Sequence, residues 1–255
     1  MQLTEAHFNR DGFVFIPGFL DPTTRLQLRE LIPRIIDSAA IWRQSGEHLW
    51  FLQDELPALA RLLRTPSLLK RLDRACDLKG APLELLAVTL YSRNPGDPGT
   101  AWHQDARFIA SDSLEALSVW IPLQAMDAMN SPLKFMAGSH RHCLLHQPQA
   151  AVSAPIGLPE RFPTVAAPMA FGDATVHTPW TLHASSSNRS PIVRHALIVN
   201  WLRAPLTCNP QTTLHGYGHS PVVNSLRERN DTTLRRRLQQ AGIRISPSQW
   251  RHGDR

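Results

Sequence analysis

The apolar positions of this 255-residue chain fall into two textures. Up to Gly80 they recur at near-helical spacing; beyond Pro82 they form short runs cut by Gly, Pro, Asn and Ser. Residues 4–10 read as a short helix running into Asp11-Gly12, and Phe13-Val14-Phe15-Ile16 as a buried strand closed by Pro17-Gly18. Asp21-Pro22 has the form of a helix start, with Asp as N-cap and Pro at the first helical position. Leu26, Leu31, Ile32, Ile35 and Ile36 then make an apolar stripe. Pro33 lies inside it and removes a backbone donor, so a kink or split is expected there. Thr65-Pro66 repeats the start signal, Leu68, Leu69, Leu72 and Ala75 follow on one face, and Gly80 is the expected stop. Residues 1–80 are thus expected to be mainly helical.

The second texture predicts strands. Leu83 to Arg93 ends in the turn Asn94-Pro95-Gly96-Asp97-Pro98-Gly99; Ala101 to Asp105 and Ala116 to Leu123 follow. Leu133-Lys134-Phe135-Met136, Ala174 to His177, Thr181 to Ser186 and His195 to Leu202 complete the series. Short strands separated by regular turns indicate a sandwich or barrel. Residues 144–167, rich in Pro, Gln and Ala, look like a lid or insertion, and Leu226 to Gln240 has helical character within a 205–255 extension. The expected organisation is one domain over 1–255: mainly β with flanking helices, its β core over 83–204.

Composition narrows the field modestly. The net charge of +6 is concentrated in arginines after residue 226. They are not interleaved with aromatics, as a strand-binding groove would require, so a nucleic-acid partner is not expected. No apolar run reaches the roughly 18–20 residues of a membrane helix, and no membrane partner is expected. Cys76, Cys143 and Cys208 form no CxxC pair, which speaks against a disulfide framework or zinc knuckle. The N-terminal residues lack a basic stretch followed by an apolar one, and a cytoplasmic location is the expectation.

The chemistry centres on Trp102-His103-Gln104-Asp105. On a strand, His103 and Asp105 face one way and Gln104 the other, so an imidazole and a carboxylate can grip one metal ion without bending the backbone. His183, in a later strand-like segment, is the best third ligand. Two imidazoles and one carboxylate on one face of an octahedron are the arrangement of a non-haem Fe(II) oxygenase. Such an enzyme needs an electron donor. If the donor is 2-oxoglutarate, its distal carboxylate needs a buried cation, and Arg194, eleven residues past His183, suits that role. Ser185 shares a strand face with His183 and can add a hydrogen bond. Arg93 and Arg107 flank the first ligand pair, and either could hold an anionic group on the substrate.

Taken together, these stretches resemble the phytanoyl-CoA dioxygenase (PhyH) family of 2-oxoglutarate-dependent oxygenases. The resemblance rests on Leu3-Thr4 through Val14, Trp102 to Asp105, Asn130 to Phe135, Gly138-Ser139-His140-Arg141, Gly172-Asp173, His183-Ala184-Ser185, Asn188 and Arg194. It implies a double-stranded β-helix (jelly-roll, cupin-like) core. It implies Fe(II) bound by His103, Asp105 and His183, and 2-oxoglutarate held by Arg194 and Ser185, with Trp120 a further cofactor-binding candidate. It implies a dioxygenase that uses O2 to hydroxylate an unactivated C–H bond of a small-molecule or acyl-type substrate, releasing succinate and CO2. Asp105 stands where related halogenases carry Gly or Ala, which favours hydroxylation. Ser131 replaces the family's usual Gly. His177 is an alternative ligand on spacing, although Arg194 and Ser185 are in phase with His183; His140 reads as fixing a turn. The alternative function is a jelly-roll metal-binding protein without 2-oxoglutarate turnover. Substrate identity and oligomeric state are not written in the sequence.

Overall fold

The computed structural model describes residues 6–41, 48–49, 52–105, 116–142 and 162–203. Arg107, Cys143, Cys208, most of the 144–167 segment and the 226–240 helix lie outside the described residues.

The chain begins with helix α1 (Phe8–Asp11), which stops at Gly12 in the left-handed conformation, φ +86°. Strand β1 (Phe13–Ile16) and helix α2 (Pro22–Ile41) follow. Asp21 caps α2 as its residue type predicts: its carboxylate accepts from the Thr24 amide at 2.9 Å. Pro33 does not split α2, which runs through it as one element. A proline inside a helix costs about 3 kcal/mol. Leu28 and Ile35, both fully buried beneath α2, each offset about 1.5–3 kcal/mol of that. Strand β2 (His48–Leu49) and helices α3 (Leu52–Glu55), α4 (Pro57–Leu63) and α5 (Pro66–Cys76) complete the helical part. Helix α5 ends at Cys76, before the expected stop at Gly80, because Asp77 adopts the left-handed cap at φ 52° and donates its N–H to the Asp73 carbonyl. Aspartate tolerates that conformation better than most residues.

Strands β3 (Leu83–Arg93), β4 (Thr100–His103), β5 (Ala116–Pro122), β6 (Leu133–Met136), β7 (Thr164–Val165), β8 (Ala174–His177), β9 (His183–Ser185) and β10 (Arg194–Arg203) form the rest. Among the described residues they make a six-stranded sheet in the order β1-β8-β5-β10-β3-β2 and a four-stranded sheet in the order β4-β9-β6-β7. Every pairing is antiparallel.

Strand alternation sorts the larger sheet into two faces. Val88, Leu90, Leu117, Val119, Ile121, Val176, Leu197, Val199 and Trp201 join Leu28, Ile35, Leu59, Leu63 and Leu72 of the helices in one core. The opposite face carries Arg93, Tyr91 and Thr89, paired across β10 with Arg194, Ala196 and Ile198. It also carries Trp120, Ser118 and His177. This face meets the smaller sheet: the Phe13 ring stacks on Phe135 at 4.6 Å, and the His177 ring lies 4.4 Å from that of His183. Two facing antiparallel sheets, with helices covering the outside of the larger one, are a double-stranded β-helix. Polar side chains on the inner face therefore line the space between the sheets. Strand β5 is buried at every position because both its faces are covered.

Candidate metal centre

Strands β4 and β9 are neighbours, and their register places His103 opposite His183 and Thr100 opposite Ser185. Gly99 permits this approach. A Cβ there would sit 2.2 Å from the Ser185 carbonyl oxygen and 2.8 Å from the Ser186 carbonyl carbon. Both are backbone atoms and cannot swing away. Gly99→Ala should therefore push β4 from β9, lowering stability by about 1–3 kcal/mol in thermal unfolding and weakening divalent-metal binding with it.

Strand β4 ends at His103, so Asp105 lies beyond it and not on a continuous strand as the sequence pattern predicts. The ladder is irregular between Thr100 and His103, and the chain leaves the sheet after the histidine. The two side chains still converge. Asp105 Oδ1 lies 3.5 Å from His103 Nε2 and 3.6 Å from His183 Nε2. His103, Asp105 and His183 each offer one ligand atom within a 4.8 Å cluster that could hold a metal ion. The donor set fits a divalent metal for a further reason. His103 Nδ1 donates to the Ala101 carbonyl at 2.8 Å, and His183 Nδ1 donates to the Thr181 carbonyl at 3.0 Å. Each bond commits the proton to Nδ1 and leaves the Nε2 lone pair pointing at Asp105.

Charge distribution agrees with this. Burial opposes ionisation of Asp105, but the surrounding imidazoles of His183, His103 and His177 together hold its carboxyl well below the usual range. Burial, reinforced by the neighbouring His103, pushes His183 well below the usual imidazole value. An unfolded chain takes up this proton near pH 6.5 and the folded one refuses it. The metal-free protein should therefore lose stability as the pH falls through about 6.5, and His183→Gln should flatten that fall in thermal unfolding.

His177 reaches the other oxygen of the carboxylate: its Nε2 is 3.5 Å from Asp105 Oδ2. Ser118 Oγ lies 3.3 Å from the same oxygen and 3.0 Å from Asn200 Oδ1. Oδ1 thus faces the two strand histidines, while Oδ2 accepts from Ser118 and faces His177. Nothing in the residue types singled out Ser118 or Asn200. Their signal is β-sheet register, which pairs Ser118 with both Asn200 and His177. Gln104 points away from the cluster and donates to the carbonyls of His142 and Trp180 at 2.7 and 2.6 Å, tying down the loop behind the site. His140 lies in the 3-10 turn Ser139–Arg141 and packs against Gly12, where an added Cβ would lie 2.6 Å from its ring.

Next to the metal cluster lies a cationic end of the cavity. Arg194 is fully buried, and its Nη2 donates to the Ser131 carbonyl at 3.0 Å. Its Nε and Nη1 have no hydrogen-bond partner. Its guanidinium lies over the rings of Tyr91 and Trp120, at 5.2 and 5.5 Å. Burial brings its pKa down to about 10, assisted by the charge of Arg93, and it stays protonated at neutral pH. Ser185 Oγ accepts from the Thr100 amide at 3.2 Å, which leaves its own proton to donate. Ser131 occupies φ +67°, the left-handed region that suits glycine. Asn188 is fully buried and donates to the carbonyls of Arg93 and Ile192 at 3.0 and 2.9 Å, fastening the turn before β10 to the end of β3.

No helix among the described residues is long and apolar enough to cross a membrane. A crystal structure of the epimerase SnoN in complex with Fe3+, alpha ketoglutarate and nogalamycin RO superposes with a TM-score of 0.69 at 21% identity, over 84% of this chain and 88% of that one. EctD from S. alaskensis, with 2-oxoglutarate and 5-hydroxyectoine, gives 0.65 at 18% identity over 79% and 76%. The non-heme alpha ketoglutarate dependent carbocyclase SnoK from nogalamycin biosynthesis gives 0.62 at 22% identity over 80% and 84%. A sequence comparison with curated proteins finds no match. The profile of the phytanoyl-CoA dioxygenase (PhyH) family matches residues 8–196, and the chain belongs to that family.

Proposed function

We propose that this protein is an Fe(II)- and 2-oxoglutarate-dependent dioxygenase that hydroxylates a C–H bond of a small organic or acyl-type substrate. One observation carries the reading: a His-Asp-His cluster with both Nε2 lone pairs turned inward shares its cavity with a buried arginine that has unpaired N–H groups and no carboxylate partner among the described residues. When bound, Fe(II) together with 2-oxoglutarate and O2 supplies the oxidising power to break a C–H bond, with release of succinate and CO2.

The chain's own residues do the rest. His103, Asp105 and His183 hold the metal on one side. The Nδ1 bonds of both histidines to backbone carbonyls fix their rings, and Ser118 fixes the carboxylate, with the His177 ring packed beside it. Arg194 donates to the distal carboxylate of 2-oxoglutarate, Ser185 adds a hydroxyl donor, and Trp120 forms an apolar wall beneath the guanidinium. Trp120 and Met126, both buried, pack at the arginine end, and Phe13 and Phe135 pack against His177 and His183, so apolar rings shield both ends from water. Structural neighbours include an epimerase and a carbocyclase, so the fate of the C–H bond must be tested directly. Turnover of a candidate substrate under 18O2 should give one succinate per product and a product carrying one labelled oxygen. Succinate formed with an isomerised or cyclised product of unchanged oxygen content would overturn hydroxylation and keep the cofactor assignment.

A further inference from the structure

Arg93 is the second cation of the cavity, and the proposed function leaves it without a task. It is 5% exposed, although it ends a strand next to an open turn. It stands directly opposite Arg194 in the β3–β10 register, so the two side chains start about 5 Å apart on the same inner face. Both lean over one aromatic ring: their guanidinium carbons lie 5.0 and 5.2 Å from the centre of Tyr91. Arg93 Nη2 donates to the hydroxyls of Tyr91 and Thr100. Its Nε is buried without a hydrogen-bond partner, as are Nε and Nη1 of Arg194. Among the described residues neither arginine forms an ion pair with an acidic side chain.

Two buried guanidiniums side by side repel each other and carry uncompensated desolvation. One planar anion between them relieves both. Thr100 fixes where that anion lies. It is opposite Ser185 in β9, with its amide bonded to Ser185 Oγ, and it is three residues before His103. The Arg93–Thr100 contact is therefore at the Ser185–Arg194 end of the cavity and close to the metal cluster.

We propose that Arg93 binds the distal carboxylate of 2-oxoglutarate together with Arg194, so that the co-substrate is held by a pair of arginines facing across two strands. This rests on the Fe(II)/2-oxoglutarate reading and sharpens it: the site selects 2-oxo acids ending in a second carboxylate. An anionic group of the organic substrate is the competing occupant for Arg93. It is less favoured because Arg93 is tied to Thr100 and paired with Arg194, both at the co-substrate end.

The test compares two probes that differ in the distal group, 2-oxoglutarate and 2-oxopentanoate, by calorimetric titration into Fe(II)-loaded full-length protein without oxygen. Arg93→Met should raise the Kd for 2-oxoglutarate by about tenfold or more and leave that for 2-oxopentanoate within about twofold. Arg93→Lys keeps the charge but loses the planar fork. It should show a smaller loss, confined to 2-oxoglutarate, and carries the test if Arg93→Met does not fold. The Arg93→Met/Arg194→Met double variant should bind the two acids alike. Equal weakening of both acids by Arg93→Met and Arg93→Lys would assign Arg93 a structural role and overturn the proposal. Unchanged 2-oxoglutarate affinity in both Arg93→Met and Arg93→Lys would overturn it and leave Arg93 to an anionic group of the organic substrate. Wild type that binds neither acid would remove the parent reading as well, so the two failures are distinguishable.

Discussion

Replacing His183 by alanine should abolish tight Fe(II) binding while leaving the fold intact. The side chain offers an Nε2 lone pair 3.6 Å from Asp105 Oδ1, and its Nδ1 proton is committed to Thr181 O. Loss of a hydrogen bond that merely supports a ligand typically costs 10–100-fold in metal affinity, and loss of the ligand itself should exceed that. Asp105→Ala should do the same and also remove the one negative charge at the centre of three imidazoles. Burial disfavours a charged His183, and its ring packs against His103 and His177 at 4.1 and 4.4 Å. Alanine at 183 removes that crowding at the expense of a small polar cavity, so the metal-free unfolding temperature should move little. Metal titration checks the first effect and calorimetric unfolding of the metal-free protein the second. A variant that still binds Fe(II) as tightly as wild type would remove His183 from the ligand set and return His177 to it.

The second large effect is expected at Arg194. Its guanidinium is fully buried, with two nitrogens unpaired and a single bond to the Ser131 carbonyl. Two charge-assisted hydrogen bonds to a ligand carboxylate contribute about 1.5–3 kcal/mol each. Arg194→Met should therefore raise the Kd for 2-oxoglutarate by about a hundredfold or more, since each tenfold corresponds to about 1.4 kcal/mol. Fe(II) affinity should be unchanged. Without 2-oxoglutarate the variant should be as stable as wild type or more so, because a buried unpaired charge has been exchanged for an apolar side chain of similar length. Thermal unfolding with and without saturating 2-oxoglutarate reads both signs: wild type gains stability on adding the co-substrate and the variant does not. A variant stabilised as much as wild type would exclude Arg194 from co-substrate binding.

The residue pattern was most informative where chemistry and strand period coincide. His103 and Asp105 are two apart, Ser185 is two after His183, and Arg194 opens an apolar strand; the structure brings His103, Asp105 and His183 into one cluster and sets Thr100 opposite Ser185. The N-terminal helices were legible through their caps, as at Asp21, and their apolar stripes. What was missed depended on non-local geometry. Two-residue strands such as β2 and β7 carry no periodic signal of their own and exist because a neighbour pairs with them. The uninterrupted path of α2 through Pro33 is decided by burial of Leu28 and Ile35, which spacing alone does not weigh against a lost hydrogen bond. Asp105 leaves the strand that would have carried it, yet its Oδ1 still comes within 3.5 Å of His103 Nε2 and 3.6 Å of His183 Nε2. Ser118, Tyr91 and Thr100 are ordinary strand residues in sequence. Only the β3–β10–β5–β8 and β4–β9 registers bring them against Asp105, Arg93 and Ser185.

The most direct test of the account is spectroscopic. Full-length protein is loaded with Fe(II) without oxygen, 2-oxoglutarate is added, and the visible spectrum is recorded for the weak metal-to-ligand charge-transfer band of a 2-oxo acid chelated at a three-ligand ferrous site. The account predicts a band in wild type, none in His183→Ala, and in Arg194→Met a band that appears only at much higher 2-oxoglutarate. Folded, iron-loaded wild type that shows no band at saturating 2-oxoglutarate would contradict it and leave a metal-binding jelly roll without this co-substrate.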